Sequence, residues 1–165
     1  MSARTVILDV LVPQEWERIE TVREAVLGCS FDGDGDVHDA MAMACAELLE
    51  NAIKYGAPGP VHVRISSSSD ELILEVTNAV AAACDSAAAL EQKIAWLSTF
   101  DSAEEAYMAA LAAVALREPS SSAGESGLGL VRIAYEGGLR LSVEVATASL
   151  TVCAKRNGSS NGGAS

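Results

Sequence analysis

The segment Glu47-Leu48-Leu49-Glu50-Asn51-Ala52-Ile53-Lys54-Tyr55-Gly56 holds the residues best suited to chemistry. Glu47 and Asn51 are four residues apart, so a helix puts them on one face, and Lys54 follows three residues later. The apolar stripe Val37, Met41, Ala44, Leu48 and Ala52 borders that face. A carboxylate and an amide at the edge of a buried stripe cost free energy unless something satisfies them. An amide oxygen can hold a magnesium ion, and a carboxylate can orient or deprotonate a nucleophile. A solvated Glu/Asn/Lys helix face would produce the same pattern without chemistry.

A second candidate is Gly124-Glu125-Ser126-Gly127-Leu128-Gly129-Leu130. Glycines before a helix let the backbone approach a ligand, and the helix start offers unpaired N–H groups to phosphate. Such turns are common, so the motif alone separates little. Asp32-Gly33-Asp34-Gly35-Asp36 resembles a calcium-loop fragment, but it lacks the later glutamate of an EF-hand and runs straight into a helix. Asp34 or Asp36 is therefore expected to cap that helix. Cys29, Cys45, Cys84 and Cys153 have no metal-ligand spacing with each other or with His38 and His62. They read as reduced, mostly buried, small apolar residues, which points to the cytosol.

These motifs need elements to position them. Thr5 to Val12 is β-branched and apolar and stops at Pro13, which predicts a strand. Pro13 to Leu27 spaces Trp16, Ile19, Val22 and Val26 as an amphipathic helix. A helix is expected from about Val37 to Tyr55, ended by Gly56-Ala57-Pro58-Gly59-Pro60. Val61, Val63 and Ile65 alternate with His62 and Arg64, and Leu72, Leu74 and Val76 follow a polar turn, which predicts a β-hairpin. Asp85 to Leu97 and Ser102 to Arg117 carry helical periodicity, with Asp101 or Ser102 as a cap. Glu118 to Ser126 reads as a loop, and a short helix should open at Gly127 and run to about Glu136. Two strands, Leu139 to Val145 and Ser149 to Ala154, close the domain of residues 1–156, and 157–165 reads as a disordered tail. The expected fold is α+β, a two-layer sandwich of helices on one face of a mostly antiparallel sheet.

The 165 residues are one domain's worth, half of them apolar and only 4% aromatic, so Ala, Leu, Val and Ile must build the core. A net charge of -12 repels phosphate backbones, which argues against nucleic acid and favours solubility or a partner with a basic patch. The longest apolar run, Ala106 to Leu116, is far short of the roughly 20 residues a bilayer needs. Met1 to Asp9 lacks the pattern of a signal peptide. A soluble, cytoplasmic protein is expected.

Taken together and in this order, the two motifs resemble the GHKL (histidine-kinase-like) ATPase superfamily. ELLENAIKYG resembles its N-box, and SGLGLVRIAYE resembles its second glycine box. The element order agrees from about Thr5 to Lys155. The resemblance implies the Bergerat-type fold with an ATP pocket between the N-box helix and the sheet. It implies Glu47 as the catalytic residue, Asn51 as the magnesium ligand, and Lys54, Asn78, Gly127, Leu128 and Gly129 beside the nucleotide. Residues Ser120 to Ser126 would form the lid.

The first glycine box departs from the family pattern. Val76-Thr77-Asn78-Ala79-Val80 stands at its place, with Asn78 for the aspartate that meets adenine and neither glycine present. Glu125 replaces the glycine that usually opens the second box, and a carboxylate there is unfavourable beside triphosphate. This pattern looks like the stand-alone proteins related to SiaB-type kinases, which are similar to anti-sigma-factor serine kinases. The resemblance implies a bacterial signalling regulator of the partner-switching kind, an ATP- and magnesium-dependent serine/threonine protein kinase or anti-sigma-type regulator. Its partner would be a small regulatory protein such as an anti-sigma-factor antagonist, and a homodimer is compatible with it. The alternative is a non-catalytic protein-binding module that has lost the nucleotide. His38 lacks a dimerisation hairpin and reads as structural.

Overall fold

The computed structural model of the protein describes residues 4–29, 35–69, 71–80, 85–115 and 128–157. In chain order the elements are β1 (Thr5–Val12), α1 (Glu17–Leu27), α2 (Gly35–Tyr55), β2 (Val61–Ser67), β3 (Glu71–Ala79), α3 (Asp85–Leu97), α4 (Ala103–Ala115), α5 (Gly129–Tyr135), β4 (Arg140–Val145) and β5 (Ser149–Asn157). The five strands form one sheet in the order β1-β2-β3-β5-β4, and every neighbouring pair is antiparallel. The architecture is α+β.

Alternation along the strands decides which face the helices cover. Val61, Val63 and Ile65 on β2, Leu74 and Val76 on β3, and Val152 and Ala154 on β5 are buried with Val26 of α1 and Met41, Leu48 and Leu49 of α2. Opposite them lie Asp9, His62, Arg64, Glu75 and Thr151, a mainly polar face on which Ile73 and Ser66 are nonetheless buried. On that face Thr77 and Thr151 share a cross-strand hydrogen bond of 2.8 Å.

The central helix α2 follows its sequence closely. Val37, Met41, Ala44, Leu48 and Ala52 are all buried, and Cys45 and Leu49 widen the stripe. Asp36 falls in its first turn, where a carboxylate meets the positive end of the helix, while Asp34 lies outside the described residues. At the other end the Gly56 N–H donates to the Ala52 carbonyl at 2.9 Å. Gln14 Nε2 donates to the Ile53 and Gly56 carbonyls at 3.5 and 3.4 Å, occupying acceptors that a helix end leaves open.

Several boundaries differ from the sequence expectation. The first helix starts at Glu17, because the chain turns after Pro13: the Glu15 N–H donates to the Pro13 carbonyl, and Arg18 and Ile19 donate to Glu15 and Trp16. Trp16 therefore precedes the helical stripe and is 51% exposed. The final strand carries on through Asn157, paired with Glu71, so Asn157 belongs to the sheet and not to a tail. The fourth helix is described through Ala115, and residues 116–127 and 158–165, with the expected lid and the rest of the tail, lie outside the described residues. Ser102 is the expected cap, its Oγ accepting the Glu105 N–H at 3.1 Å. At the other predicted turn Gly138 takes a φ of 62°, a left-handed conformation that suits glycine. No described helix is long and apolar enough to cross a membrane.

Candidate functional site

The site is built where α2 meets α5. The buried stripe of α2 fixes the helix against the sheet and turns Glu47 toward α5, which is anchored by buried Leu130, Val131 and Ile133. Arg132 Nη1 donates to Glu47 Oε1 at 3.1 Å, and Arg132 Nε donates to Glu136 Oε2 at 3.2 Å. The other Glu47 oxygen faces Gly129: a Cβ added there would lie 2.5 Å from Glu47 Oε2. Both carboxylate oxygens thus face α5, one on a guanidinium and one on bare backbone.

The Glu47 side chain is 21% exposed against 40% for Arg132. Burial pushes the Glu47 carboxyl above its ordinary value, Arg132 and Lys54 pull the other way, and Glu50 and Glu136 add to the rise. A carboxyl with raised affinity for a proton, held by a partly exposed guanidinium, can act as a proton acceptor once that guanidinium lets go.

Asn51 is half-buried one turn beyond Glu47, and its side chain makes no hydrogen bond among the described residues. Lys54 points to its own helix, with Nζ 3.0 Å from Glu50 Oε1. Asn78 is buried at the end of β3, on the helix-covered side, beside Gly56 just past the C-terminal end of α2. Its Nδ2 donates to the Ala79 carbonyl at 3.0 Å, which also accepts the Ala57 N–H at 2.8 Å. Gly56 makes room for it, since a Cβ there would approach Asn78 Nδ2 to 2.7 Å. Leu128 is the residue before α5 and its carbonyl accepts the Arg132 N–H at 2.9 Å. Gly127 lies outside the described residues.

The fold therefore brings Glu47 and Gly129 together, sets Asn51 one turn away, places Asn78 at the far end of α2, and ties Lys54 to Glu50. Arg132 was not among the residues expected to act. Locally it forms only an i,i+4 pair with Glu136, an ordinary surface pattern, and its contact with Glu47 spans 85 residues of sequence. His38 Nε2 bonds the Cys29 carbonyl at 2.8 Å, a structural role. Cys29, Cys45 and Cys153 are free thiols, and burial pushes Cys45 up to about 12. Among the described residues no group of three or more His, Cys, Asp or Glu could hold a metal ion.

The donor set nevertheless suits a magnesium-bound phosphate group. An amide and a carboxylate offer oxygen donors one turn apart, and a guanidinium offers the charge and fork geometry that phosphate requires. No family model matches the chain, and no curated protein matches its sequence.

Proposed function

We propose that the protein is a bacterial signalling regulator with a histidine-kinase-like ATP-binding fold of the GHKL type, acting in the cytoplasm as a partner-switching serine/threonine protein kinase or anti-sigma-type regulator. The observation that carries this reading is the contact of Glu47 with Gly129. The two segments that resemble the N-box and the second glycine box lie far apart in sequence, and an ATP pocket of that type requires them to meet. The five-stranded antiparallel sheet under α2 agrees with the same architecture.

In this reading Asn51 would hold magnesium, and Glu47 would accept the hydroxyl proton of a serine or threonine on a small antagonist protein. Magnesium-ATP, when bound, supplies the phosphoryl group. Gly129 leaves the space that Glu47 fills, and Asn78 would border the adenine end. The acidic surface favours a partner with a basic patch.

One observation favours a second reading, a non-catalytic protein-binding module without nucleotide. Asn78 Nδ2 already donates to the Ala79 carbonyl, and Glu47 Oε1 accepts from Arg132 while Oε2 packs over Gly129. Thermal melting with and without magnesium-ATP separates the two, using wild type and Asn51→Ala. The ATP-binding reading expects a higher melting temperature for wild type and no rise for the variant. Equal melting curves for wild type with and without millimolar nucleotide would leave only the binding module.

A further inference from the structure

The arginine between two carboxylates is the feature that the expected site does not use. We propose that Arg132 is the phosphate-responsive residue of this site: it pins Glu47 against Gly129 in the resting protein and turns to a phosphate oxygen when nucleotide enters. This deepens the ATP-binding reading and rests on it.

Three observations lead there. First, Glu47 is a weakened base as it stands, because Oε1 accepts from the Arg132 guanidinium at 3.1 Å while Oε2 lies over Gly129. Loss of that guanidinium makes it a stronger proton acceptor. Second, the hold is exchangeable. The Arg132–Glu136 pair, 40% and 43% exposed, contributes little in water, and in the Arg132–Glu47 pair the guanidinium is the more exposed half, against 21% for Glu47. Third, a phosphate is the stronger partner for the same group. A guanidinium can meet it with two parallel charge-assisted hydrogen bonds, whereas here the fork is split, Nη1 to one carboxylate and Nε to another. Arg132 is also the nearer of two cations, with Lys54, that act on Glu47 against the carboxylates of Glu50 and Glu136. An anionic ligand arriving at Gly129 needs that cation.

The consequence is a coupling of occupancy to readiness. Without phosphate, Glu47 stays paired with Arg132 over Gly129. With phosphate, Arg132 moves to the ligand and Glu47 is free to take a proton. Arg132 is thus a positioning residue acting through Glu47 as well as a phosphate contact.

The test follows the Glu47 side-chain carboxyl carbon by NMR in wild type, Arg132→Met and Arg132→Lys, together with magnesium-ATP affinity. In wild type the Glu47 resonance should move, on adding magnesium-ATP, toward the position it holds in nucleotide-free Arg132→Met. Affinity should fall about tenfold in Arg132→Met and less in Arg132→Lys, which keeps the charge but not the fork. Arg132→Lys also serves if the methionine variant folds poorly. A Glu47 resonance that stays still in nucleotide-saturated wild type overturns the handover and leaves the ATP-binding reading standing, and so does unchanged affinity in both variants. Wild type that binds no magnesium-ATP overturns both together.

Discussion

Glu47 on α2 and Gly129 at the start of α5 are in direct apposition, with Glu47 Oε2 placed 2.5 Å from where a Cβ on residue 129 would sit. The two segments with the most suggestive chemistry share one contact, and its tightness makes residue 129 sensitive to its size in a specific way.

Gly129→Ala should perturb the site without unfolding the protein. The clashing atom is the end of a flexible side chain, and alanine at the first position of α5 gains part of the roughly 1 kcal/mol by which it exceeds glycine in helix interiors. The two effects offset, so stability should change by less than about 1 kcal/mol while the Glu47–Arg132 pair breaks. Gly56→Ala and Gly137→Ala meet backbone instead, the Ala52 carbonyl and the Ile133 carbonyl respectively, and each should cost about 1–3 kcal/mol. Chemical denaturation of the three variants checks the ranking.

Glu47 should make stability depend on pH with a defined sign. Its carboxyl is pushed above the ordinary 4.5 by burial, against the opposing pull of Arg132. The folded state then holds the proton more tightly than the unfolded chain. This contribution is fully present below 4.5 and is lost as pH rises through the raised folded value. Denaturation of wild type and Glu47→Gln across the acid range should therefore show wild type losing stability relative to the variant on going toward neutral pH. A difference that grows in favour of wild type with rising pH would mean that Arg132 outweighs burial.

Asn78→Asp, which restores the residue type that the resemblance expects, should destabilise this protein. Asn78 is 7% exposed and donates to the Ala79 carbonyl, and an ionised carboxylate would face that oxygen without a hydrogen to offer. The expected cost is about 1–3 kcal/mol at neutral pH. It should shrink in acid, where the carboxyl regains a proton to donate. Equal stability of the two proteins at neutral pH would show that the strand end re-forms around the aspartate.

Leu49→Ala should cost about 2–5 kcal/mol, since Leu49 is fully buried among α2 and the sheet. Trp16→Ala should change stability by no more than about 0.5 kcal/mol despite the larger side chain removed, because Trp16 is 51% exposed. Urea midpoints of the two variants decide this.

The contrast between Leu49 and Trp16 also shows how far the sequence could be read. Periodicity located the stripe of α2 and the hairpin of β2 and β3, because burial on one face imposes that spacing on any chain that adopts it. Trp16 fits the same helical spacing, yet the turn after Pro13 delays the helix, and a local hydrogen-bonded turn leaves no mark in a hydrophobic pattern. Asn157 looked like the start of a polar tail, but pairing with Glu71 extends the strand, and pairing is set by the partner strand rather than by the residue. As candidates, Glu47, Asn51 and Gly129 were recognisable from type and spacing. Arg132 was not, because its contact with Glu47 arises from tertiary packing of α5 on α2, across 85 residues. Asn78 was expected at the adenine end, and the hydrogen bond from its Nδ2 to the Ala79 carbonyl sits where Gly56 and Ala57 fold back over β3.

The most direct test of an ATP site between α2 and α5 is a titration of 15N-labelled protein with magnesium-ATP, following the Asn51 side-chain amide and the Gly129 backbone amide. Both resonances should shift together along one binding curve, and Asn51→Ala should abolish the Gly129 response. Two resonances that stay in place at millimolar magnesium-ATP, in a protein that melts cooperatively, would contradict it.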